Sequence, residues 1–197
     1  MLIYPKSFAG FTLIELMIAI AIIGVLLVAG FPEMYTFIQN TKIRSYAETI
    51  STGMQLARGE AVKRNTRIQF MLTNNTPNAA TLPTLAAGNT GDPTGVNWAV
   101  MNYQSTGVYT AADFVQGSDN FSSPNVTVNA GDATIVFNGL GRNDLASATT
   151  IQVTNPNSGT CFAVGGPMRC LNIVVQSGGQ IRMCDPAITT AGDTRKC

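Results

Sequence analysis

The fold of this chain is decided by the segment GFTLIELMIAIAIIGVLLVAGFP, residues 10–32. From Phe11 to Phe31 the segment is apolar, with a single charged residue, Glu15. A helix of about 20 apolar residues crosses the roughly 30 Å hydrocarbon layer of a bilayer, so residues 11–31 are predicted to form a transmembrane helix. An unpaired carboxylate at that depth costs about 2.5–3.5 kcal/mol on insertion scales. Glu15 therefore needs a partner.

The apolar segment does not have the layout of a secretory signal. Such a signal ends in a small-residue cleavage site after its apolar core, whereas the small residues Ala9 and Gly10 come before the core here. The segment is therefore predicted to remain on the mature protein. An ordinary single-pass anchor is the simpler alternative, but it leaves Glu15 unexplained.

A second helical pattern follows over residues 42–65. Apolar residues recur there at steps of three and four, which predicts an amphipathic helix. Its apolar face consists of Ile43, Ala47, Ile50, Met54, Ala57 and Ala61. We expect this face to pack against the following domain; a helix lying on a membrane surface is the alternative. Pro32 is expected to kink or interrupt the chain between the two halves.

The remainder of the chain has the pattern of short β-strands bounded by Gly, Asn and Pro, which predicts antiparallel sheet packed on the helix. The predicted strands are TRIQFML (66–72), GVNWAVMNY (95–103), NVTVN (125–129), ATIVFNG (133–139), TIQVTN (150–155), TCFAV (160–164), RCLNIVV (169–175) and GQIRMC (179–184). Residues 73–95 and 111–124 are predicted to be long loops, a class that is usually functional or flexible.

The composition argues against an enzyme. Histidine is absent from the sequence, which removes the commonest general base and metal ligand. The sequence also contains no nucleophile elbow, zinc motif or phosphate loop. No cofactor and no metal site are predicted. The net charge is +1, so bulk charge favours neither nucleic acid nor acidic substrates, although six cations within residues 42–67 leave a local basic patch possible.

Four cysteines fall in the last 37 residues. The even count predicts disulfides and an oxidising compartment; free thiols are the alternative, and a zinc site is disfavoured because no C-x-x-C pair is present. CFAVGGPMRC is predicted to be a hairpin that turns at Gly165-Gly166, which places Cys161 opposite Cys170. Cys184 then pairs with Cys197. This pairing is one of three possible connectivities.

The segment GFTLIEL, residues 10–16, resembles the class III signal of type IV prepilins and type II secretion pseudopilins. The resemblance implies that a prepilin peptidase cuts between Gly10 and Phe11 and methylates the new amine of Phe11, which makes residues 1–10 a leader. It also implies a single-pass protein of the bacterial inner membrane with a periplasmic C-terminal domain. An inner-membrane assembly platform then moves the protein into a filament at the cell surface.

This resemblance also implies a role for Glu15. The helices of pilin-like subunits pack together in a filament, and the Glu15 carboxylate is expected to pair with the Phe11 amine of a neighbouring subunit. Two charges that are each costly in an apolar setting become tolerable as a hydrogen-bonded pair. Thr12 is expected to add a hydrogen bond, and Pro32 lies near the end of the apolar part. The implied partners through this helix are other minor pilins and the major pilin.

Later segments resemble the GspH/FimT family of minor pilins and pseudopilins. These segments are IRSYAETISTGMQLARGEAVKRN (43–65), NWAV (97–100), IVFNGLGR (135–142) and LNIVVQSGGQIRMC (171–184). Gly59 departs from the family's usual Ser, and the loop at residues 73–95 is longer than usual. The implied fold is the α+β type IV pilin fold, with a long N-terminal helix over residues 11–66 and antiparallel β-sheets in a domain over residues 67–197.

The resemblance implies a minor pilin that primes type IV pilus assembly and is incorporated near the tip, where it links other minor subunits to the major pilin. A GspH-like pseudopilin of type II secretion is one alternative. A FimT-like pilin for DNA uptake is another, since some FimT-like proteins bind DNA through a G-R-x-R motif. The corresponding residues here are Gly179-Gln180-Ile181-Arg182, so Gln replaces the first Arg. Arg169 and Arg182 are the candidate phosphate contacts, with solvated surface charge as the alternative.

Overall fold

The computed structural model describes residues 10–119 and 125–197. Its longest element is helix α1 (Leu13–Arg64), whose 52 residues continue through Pro32. Pro32 therefore does not interrupt the helix, contrary to one of its two predicted effects. The sequence predicted a transmembrane helix over residues 11–31; within the described part of the chain, the structure has no helix that is long and apolar enough to cross a membrane. The chain divides into two compact units, one up to Phe37 and one from Ile38 to Cys197.

The second half of α1 is amphipathic, as predicted. All six residues of the predicted apolar face are at most 1% exposed, and Gln39 and Tyr46 are buried with them. The helix ends at Arg64 because Asn65 adopts a left-handed conformation with φ 49°. The amides of Asn65 and Thr66 then bond back to the carbonyls of Val62 and Ala61, which is the Schellman arrangement that satisfies the last carbonyls of a helix.

Two four-stranded antiparallel sheets follow the helix. The first has the strand order β3-β2-β1-β5 and the second β4-β6-β7-β8. The strands are β1 (Ile68–Thr73), β2 (Asn97–Asn102), β3 (Phe114–Gly117), β4 (Thr127–Ala130), β5 (Thr134–Phe137), β6 (Thr149–Thr154), β7 (Leu171–Val175) and β8 (Ile181–Cys184). Residues of both sheets share one hydrophobic core with the apolar face of α1, which gives the α+β architecture predicted from the sequence.

A glycine lets the first sheet approach α1 closely. A Cβ atom at Gly53 would lie 2.6 Å from the ring of Trp98 on β2, a distance that side chains do not tolerate. The Trp98 ring in turn stacks on Phe70 of β1, with ring centroids 6.2 Å apart. The absence of a side chain at Gly53 therefore allows the largest aromatic ring of the core to lie directly on the helix.

The predicted loop at residues 73–95 is a packed layer on the other face of the first sheet. It contains a short helix, α2 (Leu82–Leu85), and a 3-10 turn at Ala87–Asn89. Leu82 and Ala86 form a second apolar cluster with Met71, Met101 and Tyr109. As a result, all six residues of β1 are buried, whereas the alternating pattern of the sequence predicted a single buried face.

Two other predicted elements were wrong. TCFAV is not a strand: Phe162–Val164 form a 3-10 turn, which closes because Gly165 adopts φ 85° and the amide of Gly166 donates to the carbonyl of Cys161. The chain therefore does not turn as a two-residue hairpin. The predicted loop at residues 111–124 contains strand β3, whose pairing with β2 is irregular between Val100 and Met101. Residues 120–124 of that loop lie outside the described residues.

Candidate assembly and nucleic-acid interfaces

The residues predicted for processing and assembly lie at the start of α1. Gly10 and Phe11 precede the helix and are exposed. The hydroxyl of Thr12 accepts a hydrogen bond from the backbone N–H of Glu15 at 3.3 Å, and its carbonyl accepts one from Leu16 at 3.2 Å. Thr12 therefore caps the N-terminus of the helix.

The Glu15 carboxylate is exposed in this first turn. A negative charge there interacts favourably with the helix dipole. Within the described part of the chain, the structure gives the carboxylate neither a hydrogen bond nor an ion pair. The chain itself therefore supplies only the helix terminus as compensation for this charge.

Large exposed apolar side chains occupy every side of the chain from residue 11 to residue 27, around Glu15 and beyond it. Each of the following is at least 55% exposed: Phe11, Leu13, Ile14, Leu16, Met17, Ile18, Ile20, Ile22, Ile23, Val25, Leu26 and Leu27. A helix that is apolar all round is stable only where an apolar environment covers it. This part of α1 thus has the surface of a segment that is buried by something other than its own chain.

The two candidate phosphate contacts have different surroundings. Arg182 is on β8 opposite Val174 of β7, and its guanidinium donates to the carbonyl of Lys196 at 3.0 Å. Arg169 lies before the start of β7 and is not part of the sheet. The guanidinium of Arg169 is 3.8 Å from the carboxylate of the buried Asp185.

The cations of the C-terminal tail are also compensated. Arg195 binds the carboxylate of Asp193 through two nitrogens, at 3.1 and 2.8 Å. These hydrogen bonds lower the pKa of Asp193 to about 2 and raise the pKa of Arg195 above its ordinary value. Since Arg169 and Arg195 each have a carboxylate partner, the two arginines contribute little uncompensated charge for binding phosphate.

Two disulfides join the cysteines that the sequence paired, Cys161 with Cys170 and Cys184 with Cys197. The second holds the C-terminal tail along the edge strand β8. The amide of Asp185 donates to the carbonyl of Arg195 at 2.7 Å in the same contact. The tail is therefore fastened at and just beyond the end of this edge strand.

Three of the four family-like segments meet at one junction. Arg58 of α1 donates to the carbonyl of Gly141 at 3.0 Å, and Gly141 lies against Gly179 of the β7–β8 turn. Asn143 closes the same junction by donating to the carbonyl of Gln176 at 2.6 Å. The glycines of these segments thus permit close backbone contacts between the helix and two turns, which is a structural role that the sequence did not reveal.

The described residues show no donor set for a metal ion. Within residues 10–119 and 125–197, no group of three or more His, Cys, Asp or Glu side chains could hold a metal. The candidate interfaces therefore consist of apolar side chains, one exposed carboxylate and partly compensated arginines, and none of these forms a catalytic arrangement.

Comparisons with known proteins agree with this architecture. The family described as Type II transport protein GspH matches residues 46–179, and the motif described as Prokaryotic N-terminal methylation motif matches residues 5–31. The crystal structure of the type IV minor pilin FimU of Pseudomonas aeruginosa is similar with a TM-score of 0.51 and 16% identity, over 75% of this chain and 91% of FimU. This likeness shows the fold.

The solution structure of E. coli GspH is similar with a TM-score of 0.41 and 12% identity, over 79% of this chain and 93% of that chain. A comparison with curated protein sequences finds no significant match.

Proposed function

Because this chain belongs to the GspH family and has the type IV pilin fold, we propose that it is a minor pilin that primes assembly of a type IV pilus. In this role it is incorporated near the tip and links other minor subunits to the major pilin. The observation that carries the proposal is the exposed apolar helix at residues 13–27, with one carboxylate in its first turn, joined to a folded domain. The proposed role is structural, without catalysis.

The methylation motif at residues 5–31 supports the proposed processing. A prepilin peptidase cuts between Gly10 and Phe11 and methylates the new N-terminal amine. Before assembly the apolar helix anchors the chain in the inner membrane with its folded domain in the periplasm, and the assembly platform then transfers the chain to the filament. In the membrane and in the filament, an apolar environment covers the exposed apolar side chains of α1.

Glu15 acts as an assembly register in this proposal. Its carboxylate pairs with the Phe11 amine of the neighbouring subunit when the helices pack together. Removing one partner of a buried ion pair costs about 3–5 kcal/mol because the other charge stays uncompensated. A subunit at the extreme tip has no neighbour above it to supply the amine. We therefore place this chain below at least one other minor subunit.

Substitution of Glu15 tests the proposal in the source bacterium. Glu15→Ala is expected to leave the amount of protein in membranes unchanged, since it removes a charge from an apolar segment. The same variant is expected to be depleted at least tenfold from sheared filaments, because about 3–5 kcal/mol corresponds to more than that factor in an equilibrium. Glu33→Ala, which removes another exposed carboxylate of α1, is the matched control and should be incorporated normally.

Two results would contradict this account. Incorporation of Glu15→Ala at the level of the parent would end the pairing argument and the inferred position below the tip. Intact-mass analysis of the native protein should show a methylated Phe11 at the N-terminus. A mature N-terminus downstream of residue 31 would remove the pilin assignment itself.

A role as a pseudopilin of type II secretion is the second candidate, favoured by the description of the matching family as a type II transport protein. The two functions differ in the process that fails when the gene is deleted. Loss of surface pili with normal protein secretion supports the pilus, whereas loss of secretion with normal pili supports the pseudopilus.

A further inference from the structure

The two ends of the first sheet differ in charge. Between Arg67 and Arg142 the sequence contains four aspartates and neither lysine nor arginine. Three of these aspartates, Asp92, Asp119 and Asp132, lie at the end of the sheet where β1 stops and β2 begins. This end is here called the acidic end.

The courses of the strands place the three aspartates together at this end. The amide of Asp92 donates to the carbonyl of Leu72, near the end of β1, at 2.9 Å. Asp132 comes two residues before β5, which begins at this end because it runs antiparallel to β1. Asp119 comes two residues after β3, and the intervening Ser118 is still bonded to β2. Asp119 and Asp132 are exposed.

A cavity of about 260 Å³ opens beside Asp92, which is its only charged lining residue. The Thr94 hydroxyl donates to the carboxylate of Asp92 at 2.7 Å, and the Asn74 side chain also donates to it. The hydrogen bond from Thr94 lowers the pKa of Asp92 below its ordinary value, so the group is charged at neutral pH. Leu72 and Leu85 form an apolar part of the wall. A lysine or arginine side chain, with its apolar stem and charged head, matches such a lining.

The opposite end of the first sheet is here called the basic end. Arg64 of α1 donates to the side chain of Asn102, the last residue of β2, at 3.3 Å. Arg67 directly precedes β1, and Arg142 lies in the turn that follows β5. The charged residues at this end are the cations Arg58, Lys63, Arg64, Arg67 and Arg142 and the carboxylates Glu60, Asp113 and Asp144.

Ion pairs within the chain leave the basic end positive. Glu60 is shared by two cations, Lys63 and Arg64. Within the described part of the chain, Arg58 and Arg142 form no ion pair, and Arg58 donates to a backbone carbonyl. Five cations against three carboxylates leave a surplus of two positive charges, which faces away from the three negative charges of the acidic end.

Opposite charges at opposite ends of one folded unit favour a particular arrangement of two copies. Identical units placed head to tail bring the acidic end of one against the basic end of the next. A two-fold contact made end to end brings like charges together instead. A head-to-tail contact leaves one end of each copy open, so that it can repeat along a filament.

We propose that the acidic end of one chain binds the basic end of a second copy, and that a lysine or arginine side chain of the second copy enters the cavity beside Asp92. This inference goes beyond the proposed function, because it makes a second copy one of the neighbours in the filament. Exposed ion pairs are individually weak. The contact therefore forms between chains that are already concentrated in one membrane or filament.

The test uses the full-length chain reconstituted in phospholipid vesicles and a carbodiimide, which joins a carboxylate to a lysine amine in direct contact with it. Lys63 is the lysine of the basic end. The length of β1, roughly 17 Å, separates the two ends, so an amide between Lys63 and an aspartate of the acidic end joins two chains. An amide between Lys63 and Glu60, whose charged atoms are 3.2 Å apart, forms within one chain and is the internal control.

Peptide mass spectrometry of the cross-linked dimer is expected to find Lys63 joined to Asp92, Asp119 or Asp132. The double variant Asp119→Asn, Asp132→Asn should lower the yield of dimer by about fivefold or more, and salt at about 1 M should do the same because it screens exposed charges. Asp193→Asn, which removes a carboxylate of the C-terminal tail instead, is the matched control and should leave the yield unchanged.

A reaction that forms the amide between Lys63 and Glu60 but no dimer would overturn the inference. Dimers joined only through carboxylates outside the acidic end would also overturn it, because they would place the contact on another surface. Flotation of the vesicles tests the anchoring separately. A chain that does not float contradicts the proposed function, and the same cross-link is then sought in the lipid-free fraction, where its absence overturns the inference as well.

Discussion

At the scale of single residues, two glycines of α1 differ in what surrounds them. Nothing lies within 4 Å of a Cβ built at Gly59, so this glycine is not required by packing. Glycine in a helix is less stable than alanine by roughly 0.5–1 kcal/mol. We predict that Gly59→Ala raises the free energy of unfolding of a fragment comprising Ile38–Cys197 by about that amount, as measured by urea denaturation.

Gly53 is the matched control for Gly59, because it lies in the same helix but against the Trp98 ring. Gly53→Ala should lower the free energy of unfolding by about 1–3 kcal/mol, the usual cost of overpacking. If both substitutions raised the free energy of unfolding, helix propensity alone would govern this part of α1, and the packing of Trp98 against Gly53 would be refuted.

Asp113 gives the stability of the folded unit a pH dependence. Burial raises the pKa of this carboxyl, but hydrogen bonds from Thr110 and from the Gln104 side chain outweigh burial and lower the pKa overall. Thr110 donates both its backbone N–H and its hydroxyl at 2.8 Å. A carboxyl whose pKa is lowered in the folded state stabilises the fold fully above its ordinary pKa, which is near 4. It loses this contribution as the pH falls through the lower folded-state pKa.

We predict that Asp113→Asn lowers the free energy of unfolding by about 1.5–3 kcal/mol at neutral pH, the range for hydrogen bonds to a charged group. The difference between parent and variant should shrink as the pH falls below about 4, because the folded-state carboxylate takes up its proton only below its ordinary pKa. Urea denaturation at several pH values measures this effect. Asp132→Asn, at an exposed position, is the control, and a pH-independent difference for Asp113→Asn would contradict the interpretation.

At the scale of elements, the periodicity of the sequence predicted the features that depend on residues close to one another in the sequence. The buried face of α1 followed from its spacing of three and four, and seven of the eight predicted strands have a counterpart in the sheets. The wrong predictions concern features that depend on contacts which the local pattern does not show. The second buried face of β1 exists only because residues 73–95 fold over it, and the turn at Phe162–Val164 exists inside a closed disulfide loop.

The candidate sites were predictable to different degrees for the same reason. The N-terminal motif is contiguous, so the sequence was sufficient to identify Gly10, Phe11 and Glu15 as candidates. The surroundings of Arg169 and Arg182 depend on Asp185 and on the tail at Lys196. The ion pair of Arg169 and the hydrogen bond of Arg182 therefore became visible only in the folded structure.

The C-terminal disulfide should stabilise the edge strand β8 in particular. The chain-entropy account gives about 3 kcal/mol for closing a loop of this length, and the tail also pairs with Asp185 and Arg182. We predict that replacing Cys184 and Cys197 together by Ser lowers the free energy of unfolding by up to that amount. Hydrogen exchange should accelerate in β8 beyond the acceleration in β4, which forms the opposite edge of the same sheet. Equal acceleration in both strands would contradict the role of the disulfide and the tail in stabilising β8.

At the scale of the whole molecule, positive and negative charges are nearly equal in number, and about half of the charged residues form ion pairs. The chain has 12 Lys and Arg residues against 11 Asp and Glu. Ion pairs join Arg44 to Glu48, Lys63 and Arg64 to Glu60, Arg67 to Asp144, Arg169 to Asp185, and Arg195 to Asp193. The predicted basic patch at residues 42–67 is therefore compensated in large part by neighbouring carboxylates.

This charge distribution leads to a prediction about DNA. Binding without sequence preference needs several cations that converge on one face and displace counterions, and its affinity falls steeply with salt. Arg169 is paired with Asp185, Arg182 donates to the carbonyl of Lys196, and Gln180 replaces the first arginine of the G-R-x-R motif. We therefore expect the folded unit to bind duplex DNA weakly or not at all at physiological salt, and Arg182→Ala to leave this result unchanged.

Fluorescence anisotropy with a labelled duplex, titrated at low and physiological salt, measures the binding of both the parent and the variant. Sub-micromolar binding at physiological salt that Arg182→Ala abolishes would contradict this expectation and would show that the surface around Arg182 on β8 binds nucleic acid.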